Sequence, residues 1–553
     1  VIRRYWWPLL VLVVGLPVAL LAAGVRIPWL APRPMPAVAE PVADGDQEMA
    51  WIHTTTAGTT WERFVSGMKR AELVVPGLQV DDARAFPDQT TAVPEVVLRM
   101  PGRSGSLRIR WYKLTSEATA TEWVQALARR DPAPLALIGG GSSDRAADLA
   151  RALSAQTAWH GDRPLLLITT ATADAILEGH DNLSPDQRTW PKLIDVYDDR
   201  SFRFCFTNRQ MAEAVTDFVL QDATLRPGPA VWPGFRAVPM AAGGPWVALA
   251  GLSELWADTQ PTVFSLAWKD DPYSVDLCGQ FKDALFERLD PNHRDPGERP
   301  GPRAVPRFFH QGIEFSVGSF SRPNRHEAAA ADSILANLPP RGQRGLLVIP
   351  TVAPSARRVL KTLAEGQPRL GRRLVALTGD GISVNTIYRD AEFAWPIRSL
   401  QISLVMFTHN NPFGWDESGG PTPPPGYELR PPNSTEDVLH FAELGRHVAR
   451  AAFPAEPRSY RDRQGLLTRA DDLAASLRAA DPPFFDKEGD RVGGSGEHVV
   501  VLRPNFDPVV PGRPRPDGTI EVYRRSPGGA GWERTRPPLP VFQEPRADGR
   551  PPE

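Results

Sequence analysis

The chain has almost no cysteine and no clustered metal-ligand pattern. Among 553 residues only Cys205 and Cys278 carry thiols, which excludes a disulfide framework. They read as two separately buried thiols, with one bridge in an oxidising compartment as the alternative. The ten histidines are scattered, with no H-x-x-H or C-x-x-C pair, so no metal site is expected. Neither sign of charge dominates. A net charge of −2, from 63 Lys and Arg against 65 Asp and Glu, gives no global pull toward nucleic acid or an anionic surface. Also missing are the G-x-G-x-x-G and G-x-x-x-x-G-K-[ST] phosphate loops, the G-x-S-x-G nucleophile elbow, and any evident Cys–His or paired-carboxylate system. No helical or propeller repeat runs through the chain.

Proline, by contrast, is plentiful. Its 58 residues are about twice the usual share and predict many loops and firm element ends. A hydrophobic content of 42% over this length suits two substantial cores. One long uncharged run stands at residues 5–25, after Arg3 and Arg4 and before Arg26 and Arg33, with Trp6 and Trp7 near its start. As a helix it would span about 31 Å, enough for a hydrocarbon core. It reads as a transmembrane anchor (residues 1–27) holding the rest outside the cytoplasm. A signal peptide cleaved after Ala37-Val38-Ala39 is the alternative. Residues 28–50 read as a proline-rich linker.

The most informative unit follows. Leu135-Ala136-Leu137-Ile138 runs into Gly139-Gly140-Gly141-Ser142-Ser143-Asp144, then into a helix with Ala146, Leu149, Ala150 and Leu153 on one face. Glycines allow a sharp turn, Ser and Asp open helices, and a helix N-terminus offers N–H groups and partial positive charge to a carboxylate or phosphate. Further βα units flank it, with strands at 165–168 and 202–206. After a break at 220–251 the rhythm restarts with strands at 263–267, 313–317, 346–349 and 374–377. Strands separated by such helices imply parallel sheets with right-handed crossovers, here as two doubly wound α/β lobes. The expected division is 51–207 for the first lobe with a return from about 385–480. The second lobe is expected at 208–384 with C-terminal strands at about 481–536, before a proline-rich tail at 537–553.

Several segments, in this order, resemble the type I periplasmic binding proteins of the leucine/isoleucine/valine-binding kind. They are Ile138-Gly139-Gly140-Gly141-Ser142-Ser143, Ile168-Thr169-Thr170-Ala171-Thr172, Phe202-Arg203-Phe204, Asp270-Asp271-Pro272-Tyr273, and Phe485-Asp486-Lys487-Glu488-Gly489-Asp490 before the strand at 498–502. The resemblance implies two Rossmann-like lobes on a hinge, closing on a ligand. It implies an extracytoplasmic solute-binding protein for an ABC-type importer, not an enzyme and without a cofactor, capturing a carboxylate-bearing solute such as an amino acid. Ser142, Ser143, Thr170 and Thr172 would line the first lobe and receive the carboxylate. Tyr273 and Asp380 would face them from the second, Asp380 pairing an ammonium group, and Trp61 would be a further wall. The expected partners are the ligand, an ABC permease and, through the N-terminal segment, the membrane. Two other readings stand beside this: a membrane-held sensor or scaffold of the same fold, and an α/β enzyme using the Gly-rich loop to hold a phosphate or nucleotide.

The pattern also departs from the family's. Ser274 stands where many members have glycine, the segments at 174–200 and 220–262 are longer, and no aromatic residue appears at Pro350-Thr351-Val352.

Overall fold

The computed structural model describes residues 37–89, 91–176, 191–229, 261–268, 271–289, 309–315, 323–339, 342–366, 370, 373–384, 402–413, 436–454, 469–493, 496–505, 518–526, 529, 531–535 and 537–541. The apolar run at 5–25 and most of the 537–553 tail lie outside them. Among the described residues no helix is long and apolar enough to cross a membrane.

The first sheet is built from β1 (Gln47–Thr54), α1 (Gly58–Val74), β2 (Gln79–Asp81), β3 (Glu95–Arg99), β4 (Leu107–Leu114), α2 (Ala120–Ala128), β5 (Ala136–Gly139), α3 (Ser143–Ala155), β6 (Leu165–Ile168) and β7 (Ser201–Arg203). Strand order is β2-β3-β4-β1-β5-β6-β7. The five strands from β4 to β7 run parallel, and β2 and β3 add an antiparallel edge. Side chains alternate across the sheet. Met49 and Trp51 of β1 enter the core under α1, while Ala50 and Ile52 enter the core under α2 and α3. With both faces covered, β6 is apolar at every position, Leu-Leu-Leu-Ile.

The second lobe begins with α4 (Asn208–Gln221) and β8 (Gly228–Pro229). It continues through β9 (Thr262–Trp268), α5 (Pro272–Leu289), β10 (Phe309–Phe315), α6 (Pro323–Ala336), β11 (Gln343–Val348), α7 (Ala353–Gly366), β12 (Leu374–Leu377) and β13 (Ser403–Thr408). The chain then gives α8 (Glu436–Ala452) and α9 (Ala470–Arg478) to the first lobe. There Phe441, Leu444, Val448, Leu473 and Leu477 share one core with Trp61 and Phe64 of α1. It ends in the second lobe with β14 (His498–Pro504), β15 (Gly518–Arg525), β16 (Trp532–Arg534) and β17 (Leu539–Val541). The second sheet runs β10-β9-β11-β12-β13-β14-β15-β16, with β8 on β11 and β17 on β15. It is parallel from β10 to β13 and antiparallel beyond.

Both sheets are therefore mixed, where the βα rhythm predicts parallel ones. Three boundaries also move. β1 starts inside the expected linker, because Gln47 and Glu48 are polar yet buried. The return to the first lobe does not start near residue 385: β13 pairs with β12 in the second sheet, and the return begins with α8. Nor does it end by 480, because Phe485 still packs in the first core. Cys205 is buried and Cys278 partly buried, and the two are not bridged.

The return is held by a close helix crossing. A Cβ at Gly67 of α1 would stand 2.5 Å from Cβ of Phe441, and one at Gly445 of α8 would stand 2.8 Å from Cε of Met68. At Gly67 the close atoms include the α8 backbone at Phe441 and Ala442, which cannot retreat in a packed core. Gly67→Leu is expected to destabilise the first lobe by about 1–3 kcal/mol through overpacking. Urea unfolding checks this, and a midpoint equal to the parent's would contradict it.

Candidate functional site

In open α/β sheets ligands are held at the C-terminal ends of strands. On the first lobe these ends are the β5–α3 and β6 loops. Gly140 turns the chain at φ +81°, a conformation that side-chain-bearing residues rarely adopt. Ser142 is the N-cap of α3 but places no side-chain hydrogen bond on its first turn. The buried Ser143 hydroxyl oxygen accepts the Ala173 N–H at 3.2 Å, which leaves its own proton for another acceptor. The Thr170 hydroxyl donates to the Gly140 carbonyl at 3.1 Å. Thr172 is buried, and its carbonyl accepts the Asn208 N–H at 2.7 Å. Ser143, Thr170 and Thr172 thus tie the two loops to each other and to the start of α4.

On the second lobe the structure brings Tyr273 and Asp380 together. The Tyr273 hydroxyl accepts the Gly381 N–H at 3.0 Å and is hydrogen-bonded to Asp380. Burial, reinforced by the Asp380 charge, pushes the phenol well above its ordinary value, so it stays a donor. Asp380 Oδ2 lies 2.9 Å from His409 Nε2. His409 Nδ1 accepts the Phe206 N–H at 3.3 Å, so in the neutral ring the proton sits on Nε2 and points at Asp380. The His409 backbone N–H donates to Oε1 of Glu436 at 3.2 Å. Burial first, then Asp437 and Asp380, push that carboxyl well above the usual range. His440, one turn along α8, donates from Nε2 to the Thr169 carbonyl at 2.7 Å. Burial, then His409 and Arg491, hold its pKa down at about 3, so it is neutral. Among the described residues no group of His, Cys, Asp and Glu is placed to hold a metal ion.

The walls meet through Asn208 and Asp276. The Asn208 side chain donates to Oδ2 of Asp276 at 2.8 Å and to the Tyr273 carbonyl at 3.3 Å. The same Oδ2 accepts the Asp174 N–H from the first lobe at 2.8 Å. Arg491 binds the adjoining segments, its guanidinium over the Phe206 ring at 4.1 Å and 3.0 Å from Glu443. Among the described residues the chain passes between lobes near 204–208, between Phe413 and Glu436, and between Arg491 and His498. Three passages of chain therefore join the two lobes.

Burial, and then Asp174, push the Asp276 carboxyl up to about 6. A folded pKa above the unfolded value stabilises at low pH, and that stability is lost as pH rises through about 6. A rise of about two units corresponds to about 3 kcal/mol. Asp276→Asn is expected to remove that loss. Unfolding free energies at about pH 4.5 and pH 7.5 check it, and the same pH dependence in parent and variant would contradict it.

Trp61 does not belong to the cleft. It is 1% exposed, its Nε1–H donates to the Ala85 carbonyl at 2.8 Å, and its ring packs on Trp51, Phe64 and Trp111. A tryptophan just past a glycine turn is here a core residue. His409, Glu436, His440, Asn208 and Asp276 were not singled out by sequence reading. His409 was within its reach, since it follows the apolar strand β13 at the same edge as Asp380.

No protein-family model and no curated protein matches the sequence. Among solved structures the chain is similar to a leucine-binding protein from Thermotoga maritima, at 14% identity over 83% of this chain and 96% of that one, TM-score 0.44. It is similar to an ABC transporter substrate-binding protein from Desulfitobacterium hafniense in complex with Leu, at 15% identity over 83% and 98%, TM-score 0.42. A solute-binding protein from R. palustris in complex with benzoate is another, at 12% identity over 90% and 99%, TM-score 0.42.

Proposed function

We propose that the chain is an extracytoplasmic solute-binding protein, working with an ABC-type importer and not as an enzyme. Its lobes close on a small carboxylate-bearing solute, with an amino acid as the leading candidate. The observation that carries this reading is the polarity of the two walls. Hydroxyls and the uncapped N-terminus of α3 stand on one lobe, and an oriented carboxylate, Asp380, stands on the other. Ser142, Ser143, Thr170 and Thr172 receive the solute's carboxylate, and Asp380 with Tyr273 faces its ammonium group. The uncharged run at 5–25 supports attachment to the membrane with the lobes outside.

Mass spectrometry of small molecules retained by the purified protein tests the reading, followed by calorimetry with the solute identified. Saturable binding of one amino acid or related acid is the expected result. No retained solute together with no binding across an amino-acid panel, or turnover of a substrate, would overturn it. Cell fractionation is expected to recover the protein with membranes. A soluble chain beginning at Glu40 would replace the anchor with a cleaved leader.

A further inference from the structure

A cavity of about 240 Å³ opens at the C-terminal edge of the first sheet, on the face covered by α2 and α3. Its wall includes His53 at the end of β1, Thr119 at the start of α2, and Gly140, Gly141, Arg145 and Asp148 from the β5–α3 unit. It shares two glycines with the cleft loop but none of the four hydroxyl residues.

His53 is 8% exposed, and its ring is fixed by stacking on Trp51, centroids 4.8 Å apart at 19°. Its Nδ1 accepts the Thr54 N–H at 3.0 Å, which places the proton of the neutral ring on Nε2. Burial, then the charge of Arg145, holds its pKa down at about 4, so the neutral form persists at ordinary pH. No described residue accepts from Nε2. The ring edge instead packs against Gly141, where any Cβ would collide with it, so glycine is what lets this ring stand in the cavity wall.

Arg145 stands exposed in the first turn of α3 and makes no ion pair with a described residue. A cation there is opposed by the helix dipole, and a bound anion would relieve that opposition. The one acid on this wall, Asp148, is drawn to Arg151 at 3.2 Å.

We propose that this cavity binds a small solute through an oxyanion group, carboxylate or phosphate, held by the His53 Nε2–H and the Arg145 guanidinium. The volume is below the roughly 300–1,000 Å³ of drug-sized pockets, which limits the occupant to a small molecule. The proposal goes beyond the interlobe reading and does not depend on it.

Calorimetric titration of the full chain with acetate and, separately, with inorganic phosphate tests it. One saturable site per chain is expected for at least one of the two, and the anion that binds identifies the carboxylate or phosphoryl source. Arg145→Ala and His53→Gln are each expected to weaken that binding about tenfold or more. Arg129→Ala, which removes the same charge at the far end of α2, should bind like the parent. Arg145 is exposed, so its variant tests the site even where His53→Gln fails to fold. No saturable binding of either anion up to tens of millimolar, parent-like binding by Arg145→Ala, or an equal loss in Arg129→Ala would overturn the proposal.

Discussion

Arg110→Ala is expected to lower the stability of the first lobe by about 3–5 kcal/mol, the usual result of removing one partner from a buried ion network. Arg110 is 6% exposed and bridges two carboxylates that are each 1% exposed. Its Nε lies 2.6 Å from Glu95, and a terminal nitrogen lies 2.8 Å from Glu48. Arg130 also reaches Glu48, and Arg108 also reaches Glu95, each at 2.8 Å. Even so, burial pushes the Glu48 carboxyl above its usual range against the pull of Arg130 and Arg110. Without Arg110 the desolvation of two acids outweighs what remains of their pairing. Arg110→Met combined with Glu48→Leu should recover part of the loss, since one unpaired charge leaves together with its partner. Denaturant unfolding followed by tryptophan fluorescence reads the effect, because Trp51, Trp61 and Trp111 all lie in the first core. A loss below about 1 kcal/mol, the scale of a surface pair, would show that the network does not hold the lobe.

That network also explains where sequence reading stopped. Strands buried on both faces announce themselves, as in Leu165-Leu166-Leu167-Ile168 and Leu374-Val375-Ala376-Leu377, because only apolar residues suit both sides. The start of β1 was hidden because Glu48 is a polar residue whose partners, Arg110 and Arg130, are distant in sequence. β13 was not read as a strand, and its segment was placed in the first-lobe return: an apolar run reports burial and carries no label for its lobe. In the cleft, residues at strand ends were accessible to pattern, and Tyr273 and Asp380 do meet. Their orientation depends on His409, and the neighbouring His440 reaches Thr169 across 271 positions, a pairing that no local spacing encodes. In sequence Trp61 fits a turn-side wall, but a core better. Its indole N–H partner, Ala85, decides for the core.

Asp380→Ala is expected to weaken binding of the proposed zwitterionic solute by about 3–5 kcal/mol, roughly 100-fold or more. The carboxylate is positioned before any ligand arrives, because His409 Nε2–H and the Tyr273 hydroxyl both point at it. A pre-positioned acid spends little ordering energy on binding, so its Coulombic attraction for an ammonium group appears almost fully in affinity. Removing it leaves that ammonium in a wall holding a neutral Tyr273 and a Glu436 carboxyl whose pKa is pushed well up by burial, neither of which replaces the charge. Asp380→Asn separates position from charge. It keeps an acceptor for His409 and much of the local packing, and should still lose most of the affinity if the solute carries an ammonium group. Calorimetry of both variants with the retained solute decides the point, alongside melting curves that report folding. If Asp380→Asn binds like the parent while Asp380→Ala is weak, the residue orients the wall and the solute brings no cation to it. If both bind like the parent, Asp380 lies outside the binding site and the pairing of the two walls is wrong.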